Sequence, residues 1–456
     1  MSLGWSDSSL EGVKPAEVVK FAALRRAQIS ALYPGVRLVI PAGTLKVRSN
    51  DTEYKFRVHS AYAYLTGISA SDCVPDSVLV LEPDAKGHKA LLFIHPRSPR
   101  NTEEFHSDRV NGEFWIGRRL SARETEERYG INVRHIDTLP EMLEDDVDTL
   151  AIHHEDPVVD ALVEVRKKRE AKLLSQISEL RLIKDRYEIA EIQRAVDVTI
   201  RGFSDMVQAL PAATSVKRGE RIIESAFYGR ARLEGNDLGY ETIAAAGSHA
   251  CILHWMKNDG DVIPGDLILI DAGVEVESMY TADITRTIPI NGKFSPAQRK
   301  IYNIVYEAQR AGFEAVKPGA PWSAFHNAAS AVLAKGLEEL GVLPVSAEES
   351  LKESAGFHRR WTIHSTGHMM GLDVHDCAQA RKESYHGGTL EEGMVLTVEP
   401  GLYIQPDDLL FPAEYRGIGV RIEDDVLVTK TGAQVLSRAL PSHPDEVEVW
   451  VANLLR

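Results

Sequence analysis

The chain is poor in cysteine. Its three cysteines, Cys73, Cys251 and Cys377, lie far apart among 456 residues. This spacing provides neither a disulfide framework nor a CxxC zinc pattern, which excludes a small disulfide-stapled domain and favours a reducing compartment.

Segments for export and membrane insertion are also missing from the sequence. The N-terminus, MSLGWSDSSLEGVKPAE, has no basic stretch followed by an apolar one, as a secretory signal would. No uncharged apolar run approaches the roughly 20 residues that span a bilayer. We therefore expect a cytoplasmic protein that has no membrane partner.

Positive charge is in deficit. Lysine and arginine number 52 against 67 aspartates and glutamates, so the formal net charge is -15. An acidic surface repels phosphate backbones, which makes nucleic acid an unsuitable partner. The 44% hydrophobic and 26% charged content is typical of a globular protein, and the length predicts two domains.

The first part of the chain alternates helical and strand-like patterns. Apolar residues recur at helical spacing over 15–33, and the runs VRLVIPAG, SVLVLEP and ALLFIHP resemble buried strands. This alternation predicts an α/β domain over residues 1–178. A charged stretch at 156–182 predicts one long helix that bridges to the next domain.

The second part, residues 179–456, predicts an α+β domain. It begins with the helical pattern RLIKDRYEIAEIQRAVDVTIRGFSDMVQAL at 181–210, and further helices are expected at 296–316 and 322–340. Between them lie strand-like runs that carry acids: DLILIDAGVEVE, TADITRTIPI, MVLTVEPGLYI and GVRIEDDVLVT.

Histidines cluster in HSTGHMMGLDVHD, residues 364–376. His364 and His368 are four residues apart and would share a face of a helix as a zinc pair. Gly367 and Gly371 argue against a helix there. By itself the stretch leaves open whether it is a metal and substrate site or a polar loop.

Two aspartates in LILIDAGVEVESMYTADITRT sit on β-rich runs that predict a hairpin. If the hairpin is centred near Glu277, Asp271 and Asp283 lie opposite each other, about 5 Å apart at Cβ. Facing carboxylates repel unless a proton or a cation lies between them. Taken alone, a solvated turn edge remains the commoner explanation of such a pair.

Two glutamates occur where the pattern predicts burial. Glu399 ends an apolar strand, and Glu423 lies mid-strand with Arg421 two residues earlier on the same face. The alternatives are a simple strand end before Pro400 and a solvated acidic face. Four acids with an imidazole suit two divalent ions such as Mn²⁺, Co²⁺ or Zn²⁺.

The ordered set DAG…ADITRT…HSTGHMMGLDVHD…LTVEPGLYI…GVRIEDD resembles the pita-bread metallopeptidases, which include aminopeptidase P, prolidase and methionine aminopeptidase. The similarity covers about residues 180–440. RSNDTEYKFRVHSAYAYLTGI, WIGRRL and PAEYRGIGVRIEDD resemble aminopeptidase P in particular. The resemblance implies an α+β fold with a C-terminal pita-bread catalytic domain and a smaller N-terminal α/β domain.

By this resemblance, the residues that match the metal ligands are Asp271, Asp283, His368, Glu399 and Glu423. Asp283 and Glu423 would bridge two ions, Asp271 would bind one of them, and His368 with Glu399 would complete the other. The gap between the aspartates is one residue longer than is usual in the family, and we place the extra residue within VESMY. Mn²⁺ is the expected metal, with Zn²⁺ and Co²⁺ as competitors.

The implied activity is hydrolysis of the bond between an N-terminal residue and a following proline by a metal-bridging hydroxide. Glu399 would carry the proton, and His254 and His375 would contact substrate and stabilise the tetrahedral intermediate. His364 and Arg421 match residues near the proline side and behind the metal ligands. From residue type alone, His254 is equally well explained as a core histidine, and Arg421 as a surface ion pair.

Three rival functions remain at this point. Prolidase would cleave only dipeptides, a creatinase-like hydrolase would act on another C–N bond, and a binding protein would hold no metal. Resemblance also implies a homo-oligomer, a dimer or a tetramer. The native metal, the preferred first residue and the physiological substrate do not follow from the sequence.

Overall fold

A computed structural model describes residues 4–5 and 9–456. Residues 1–3 and 6–8 lie outside the described residues. They belong to the predicted N-terminal domain and to the N-terminal segment in which no secretory signal is predicted. The chain forms two compact units. One comprises Met1–Leu180 with Glu277–Met279, and the other Arg181–Val276 with Tyr280–Arg456.

The N-terminal unit mixes short helices and strands, in this order: α1 Val19–Leu32, β1 Arg37–Pro41, β2 Val47–Ser49, β3 Thr52–Glu53, α2 Ser60–Thr66, β4 Val78–Asp84, β5 Gly87–Ile94, α3 Glu103–Ser107, α4 Glu113–Ile116, α5 Ala122–Tyr129, β6 Asn132–His135, α6 Leu139–Leu143, β7 Thr149–Ala151, α7 Pro157–Leu162 and α8 Lys167–Leu180.

The core of this unit is a five-stranded sheet in the order β6-β5-β4-β1-β7. The β1/β4 and β4/β5 pairs are antiparallel, and the two outer pairs are parallel. Val39, Val80 and Phe93 are fully buried on it. The predicted helix at the start and the three predicted strands are therefore confirmed as α1, β1, β4 and β5.

The single long helix predicted at 156–182 is wrong. It is two helices, α7 and α8, because the backbone becomes extended at Val163 (φ -108°, ψ 129°). The carbonyl of Val163 contacts Nε2 of His153 at 2.9 Å, and Asp156 caps the first helix. The break thus gives hydrogen-bond partners to the carbonyl of Val163 and to the first amides of α7. The predicted domain boundary at residue 178 falls within α8.

The C-terminal unit contains the longer helices and the remaining strands: α9 Arg186–Thr214, α10 Glu220–Glu234, β8 Asp237–Leu238, β9 Ile243–Ala246, β10 Leu267–Ala272, β11 Val274–Glu275, β12 Ile284–Pro289, α11 Pro296–Ala315, α12 Ala324–Glu339, α13 Ala347–Ser350, β13 Val395–Val398, β14 Gly401–Tyr403, β15 Gly419–Arg421, β16 Asp424–Thr429, β17 Gly432–Val435 and α14 Pro444–Leu454.

Capping explains where two of these helices begin. Asp185 and Glu188 form a capping box at α9, and Ser295 and Gln298 form another at α11 with Pro296 in the first turn. The helices predicted at 181–210, 296–316 and 322–340 are confirmed. No helix in the described part of the chain is both long and apolar enough to cross a membrane.

The strands of this unit form short antiparallel sheets. The orders are β12-β10-β9, β13-β16-β17 and β14-β15. Residues 364–376 form no helix. They run beside β13, where the amides of Thr397 and Glu399 donate to the carbonyls of His368 and Thr366 at 2.9 and 2.8 Å. The prediction that Gly367 and Gly371 exclude a helix is confirmed.

Candidate metal centre

The two aspartates of the predicted hairpin converge, although not as direct partners. In the register between β10 and β12, Asp271 pairs with Thr285 rather than with Asp283, so the prediction of direct opposition is wrong. The hairpin is centred one residue later than expected. Period-two alternation keeps both carboxylates on the same face as diagonal neighbours.

A tyrosine joins the two carboxylates. The hydroxyl oxygen of Tyr240 lies 2.7 Å from Asp271 Oδ1 and 2.6 Å from Asp283 Oδ1. A phenol has one proton, so it donates to one carboxylate at a time. The second close oxygen pair requires another proton or a cation.

The turn between the two aspartates includes a residue with an unusual backbone conformation. Met279 adopts a left-handed conformation there, with φ of 68°. Gly273 lies where the strands approach closely, and a Cβ at this position would come 1.7 Å from the carbonyl oxygen of Ala282. Both aspartates nevertheless face the same side, since both contact the hydroxyl of Tyr240.

His368 approaches the aspartate cluster from the histidine-rich segment. Its Nδ1 donates to the carbonyl of Met369 at 3.1 Å, which leaves Nε2 to face the acids. Nε2 lies 3.2 Å from Asp283 Oδ2 and 3.8 Å from Glu399 Oε1. A backbone acceptor on the far nitrogen is the usual way in which a metal-binding imidazole is oriented.

Glu423 completes the group. Ligand atoms of Asp283, His368 and Glu423 all lie within 4.8 Å of one another. Glu423 is not mid-strand as predicted but lies between β15 and β16. Its amide donates to the carbonyl of Thr285 at 3.1 Å, and the hydroxyl of Thr285 donates to Glu423 Oε2 at 2.6 Å. These two bonds pull the chain towards β12 and interrupt the strand.

Arg421 lies behind the acids as a buried residue. Its side chain is 5% exposed, and its Nη2 lies 2.5 Å from Asp271 Oδ2. Its Nη1 donates to the hydroxyl of Tyr403 at 3.1 Å. The alternative of a surface ion pair is therefore wrong, and the acid that Arg421 holds is Asp271.

The electrostatics of this group call for positive charge. Burial raises the pKa of Asp271 against the opposing charge of Arg421, and it raises the pKa of Glu399 to about 7. Burial, reinforced by Asp283 and Glu399, raises the pKa of Glu423 well above its ordinary range. Burial lowers the pKa of His368, but the hydrogen bond to Asp283 and the negative charges of Asp283 and Glu399 together outweigh this and raise the value to about 9.

Asp424 and Asp425 are not the solvated acidic face that was the alternative for this strand. Asp424 is buried and lies 2.6 Å from Nη2 of Arg286. Asp425 is fully buried, accepts from the amide of Asp283 at 3.1 Å and has an Oδ1 without a hydrogen-bond partner among the described residues. A further acid thus lies directly behind Asp283.

A cavity of about 520 Å³ opens over these acids, and it is lined by all the residues predicted for substrate contact: His254, His364, His375 and Arg421. His254 and His375 are exposed to it, so the core-histidine interpretation of His254 is wrong. The ring of His375 meets that of His368 edge-on, with centroids 4.4 Å apart. Burial and Arg421 lower the pKa of His364 to about 4, so this imidazole is neutral.

Some residues of the site escape sequence reasoning. Tyr240, Thr285 and Tyr403 carry neutral hydroxyls that no spacing rule singles out. Conversely, Asp373 and Asp376 of the DVHD motif do not face the acids, because both pair with Arg181. The four acids were predictable from their type and pattern, and the choice of His368 among the histidines of residues 364–376 came from the family resemblance, whereas the hydroxyl partners were not predictable.

Buried acids and an imidazole at the floor of a cavity define a metal-dependent hydrolase. Residues 190–430 match the model of metallopeptidase family M24, and residues 21–152 match the N-terminal domain of aminopeptidase P. The chain belongs to family M24 and, within it, to the Xaa-Pro aminopeptidases.

Relatives and solved structures agree with this assignment. The chain is 52% identical to Xaa-Pro aminopeptidase 1 of Streptomyces coelicolor over its full length and 91% of that protein. It is 33% identical to Xaa-Pro aminopeptidase of Escherichia coli, with 94% and 96% of the two chains covered. A structure of zinc-substituted E. coli aminopeptidase P in complex with product matches 97% of this chain and 100% of the other at 31% identity, with a TM-score of 0.84.

The family and the fold class predicted from the sequence are thus confirmed, and the chain is a metallopeptidase that uses divalent metal ions.

Proposed function

We propose that this chain removes the N-terminal residue from peptides in which proline is the second residue. The observation that carries the proposal is the convergence of acids on β10, β12 and the segments beside β13 and β16 at the floor of one cavity. The names of the relatives support the substrate class.

The proposed ligands of two divalent ions are Asp271, Asp283, His368, Glu399 and Glu423. The residues fit such ions because the structure holds more buried negative charge than Arg421 can compensate. When bound, the ions supply Lewis acidity and a reactive form of water at neutral pH. We propose Mn²⁺ as the native metal, because oxygen ligands outnumber nitrogen in this set.

Glu399 is the proposed proton carrier. Its carboxylate lies at the cavity, near Nδ1 of His364 at 3.5 Å. It accepts a proton from the attacking water and delivers it to the departing nitrogen. The delivery matters because the nitrogen of proline carries no hydrogen in the peptide.

His254 and His375 are the proposed donors to the oxygen that becomes negative during attack. Both side chains are exposed to the cavity, and His375 is oriented by its contact with His368. Hydrogen-bond donors that already stand where negative charge develops lower the activation barrier, because they need not reorganise during the reaction.

His364, Tyr403 and Arg421 form a chain of contacts that we assign to the proline side. The hydroxyl of Tyr403 lies 2.8 Å from His364 Nε2 and 3.1 Å from Arg421 Nη1. Because Arg421 donates to Tyr403, that hydroxyl is free to donate in turn to the neutral imidazole. These two contacts fix the position of His364 in the wall of the cavity that we assign to the proline ring.

An assay on matched peptides tests the activity and separates it from prolidase. After chelation and dialysis, the chain is assayed on Ala-Pro, Ala-Pro-Ala and Ala-Ala-Ala with and without Mn²⁺. We expect Mn²⁺-dependent release of alanine from Ala-Pro-Ala and none from Ala-Ala-Ala. Cleavage of Ala-Pro alone would identify a prolidase, and no cleavage of either proline peptide would refute the proposal.

We also propose that the chain acts in the cytoplasm as a homodimer or homotetramer. The three cysteines, all in the described range, are free thiols, which suits a reducing compartment. Phe114, Trp115 and Ile116 of the N-terminal unit are exposed, as apolar side chains at a subunit interface are in a single chain. Light scattering coupled to gel filtration tests the assembly, and a mass near 50.5 kDa would exclude it.

A further inference from the structure

A buried glutamate lies at the base of the loop that carries His254. This loop, residues 247–260, joins β9 to the segment before β10, and its tip contributes Leu253, His254 and Met256 to the cavity. Glu220, the first residue of α10, has no exposed surface. It is not a predicted ligand and has no assigned part in the reaction.

Four donors surround the Glu220 carboxylate. Oε1 accepts from the amide of Ala246 at 2.8 Å and lies 2.8 Å from Nδ1 of His249. Oε2 accepts from Nε1 of Trp255 at 2.8 Å and from the amide of Gly260 at 2.6 Å. The two amides stand at opposite ends of the loop, so one carboxylate closes it.

The side chains and backbone around the carboxylate are closely packed. The rings of His249 and Trp255 stack with centroids 3.8 Å apart and an interplanar angle of 26°. A Cβ at Gly260 would lie 2.6 Å from the imidazole of His249 and 2.7 Å from Glu220 Oε1. Trp255 directly follows His254 in the chain, so the indole contact is transmitted to the histidine through a single peptide unit.

We propose that Glu220 is a positioning residue for the reaction, which holds His254 in place by clamping both ends and one side of its loop. The inference rests on the proposed role of His254. A donor displaced by about 1 Å loses much of its effect on rate, in favourable cases by 10²-fold. The clamp therefore acts on the chemical step and not on the stability of the fold alone.

Two acceptor oxygens on one side chain are essential to this clamp. Glutamine keeps the size of the side chain but turns one of the two acceptor atoms into a donor. Whichever way the amide is oriented, its NH₂ group faces a backbone amide, either that of Ala246 or that of Gly260. A buried donor facing another donor is left unsatisfied, so one end of the loop is released.

A double-mutant cycle tests the proposal on the full-length, Mn²⁺-loaded protein with Ala-Pro-Ala. We expect Glu220→Gln to lower kcat by about 10- to 100-fold, with a smaller change in KM. In the His254→Ala background the same substitution should lower kcat by less than about threefold, because the group that it positions is gone. Equal losses in both backgrounds would overturn the inference.

Glu188→Gln is the matched control. Glu188 is buried to a similar degree and accepts from the hydroxyl of Tyr280 at 2.9 Å, but it does not line the cavity. We expect it to lower the melting temperature while leaving kcat within about twofold of the parent. A loss of kcat as large as that of Glu220→Gln would mean that any buried glutamate of this unit matters equally, and would refute a specific clamp.

Hydrogen exchange provides a readout that does not depend on activity. In Glu220→Gln, peptides covering 246–260 should exchange faster than in the parent, while those of α9 should not change. Unchanged exchange in the loop would refute the clamp. A parent protein without activity would refute the proposed function instead, and a fully active His254→Ala variant would refute only the role given to that histidine.

Discussion

Nη2 of Arg421 lies 2.5 Å from Oδ2 of Asp271 in the interior of the catalytic unit. The guanidinium also contacts the hydroxyls of Tyr403 and Thr285, at 3.1 and 3.2 Å. It is therefore a permanent cation beside acids that we propose as ligands of exchangeable metal ions. One guanidinium cannot balance the surrounding carboxylates, and this shortfall is the physical basis of the proposed metal site.

Replacement of Arg421 by methionine should destabilise the metal-free protein. Removing one member of a buried ion pair leaves the other charge uncompensated, at about 3–5 kcal/mol. We expect a loss of that order in urea unfolding of chelator-treated protein. Arg299→Met is the control, because its partners Asp445 and Glu448 are 69% and 22% exposed and such surface pairs contribute about 0–1 kcal/mol. Equal losses in the two variants would contradict the prediction.

Asp283→Ala should abolish both metal binding and activity. Asp283 contacts the hydroxyl of Tyr240 and His368 Nε2 at 2.6 and 3.2 Å, so its removal opens the middle of the cluster. We expect less than one ion per chain by elemental analysis and a loss of kcat of at least about 10³-fold. Asp445→Ala, an exposed residue, should retain both. Full activity in Asp283→Ala would rule out its assignment as a bridging ligand.

Tyr240→Phe should weaken the metal-free state more than the metal-loaded state. The phenol is the donor that contacts both Asp271 and Asp283, and leaving a buried acceptor without a donor costs about 1–3 kcal/mol. Bound cations take over that compensation. Melting temperatures with and without Mn²⁺ measure the difference. An equal decrease in both states would show that the hydroxyl acts only through packing.

Metal removal should make stability fall as the pH rises from about 6.5 to 9. The pKa of His368 is raised from 6.5 to about 9, so its stabilising contribution is complete below 6.5 and is lost as the pH approaches 9. The raised pKa of Glu399, about 7, acts in the same direction up to neutrality. The expected loss is on the order of 3 kcal/mol for His368.

Urea unfolding of the chelator-treated protein across this pH range measures the effect, and His368→Gln should flatten the slope. Metal binding at pH 7 should release protons, because the ligands must give them up. Calorimetry in two buffers of different ionisation enthalpy detects that release. A flat stability profile without metal would contradict the predicted burial of these groups.

Patterns of local sequence were sufficient for most elements and for the acids of the site. Alternation and helical periodicity indicate which side of an element is buried. A carboxylate on that side is informative, because burying a charge costs much free energy unless the charge is paired. Asp271 and Glu399 were recognisable for this reason. Element ends were less accurate, as the two helices at 157–180 illustrate.

Local sequence patterns could not predict the register of the strands or the contacts between them. Whether Asp271 faces Asp283 or Thr285 depends on a one-residue shift in the centre of a hairpin, and either choice keeps the same alternation. Neutral partners such as Tyr240 leave no mark on the pattern, since tyrosine occurs at buried and at partly exposed positions alike.

By itself the sequence indicated the class of chemistry, because acids on apolar strands need protons or cations and their ordered motifs resemble those of the metallopeptidases. The tertiary structure decided which acid Arg421 binds, which phenol joins the aspartates and which glutamate ties the loop of His254. These choices join residues far apart in the chain, for example Arg421 with Asp271 and Glu220 with Gly260, and they are fixed by how the sheets and helices pack around one cavity.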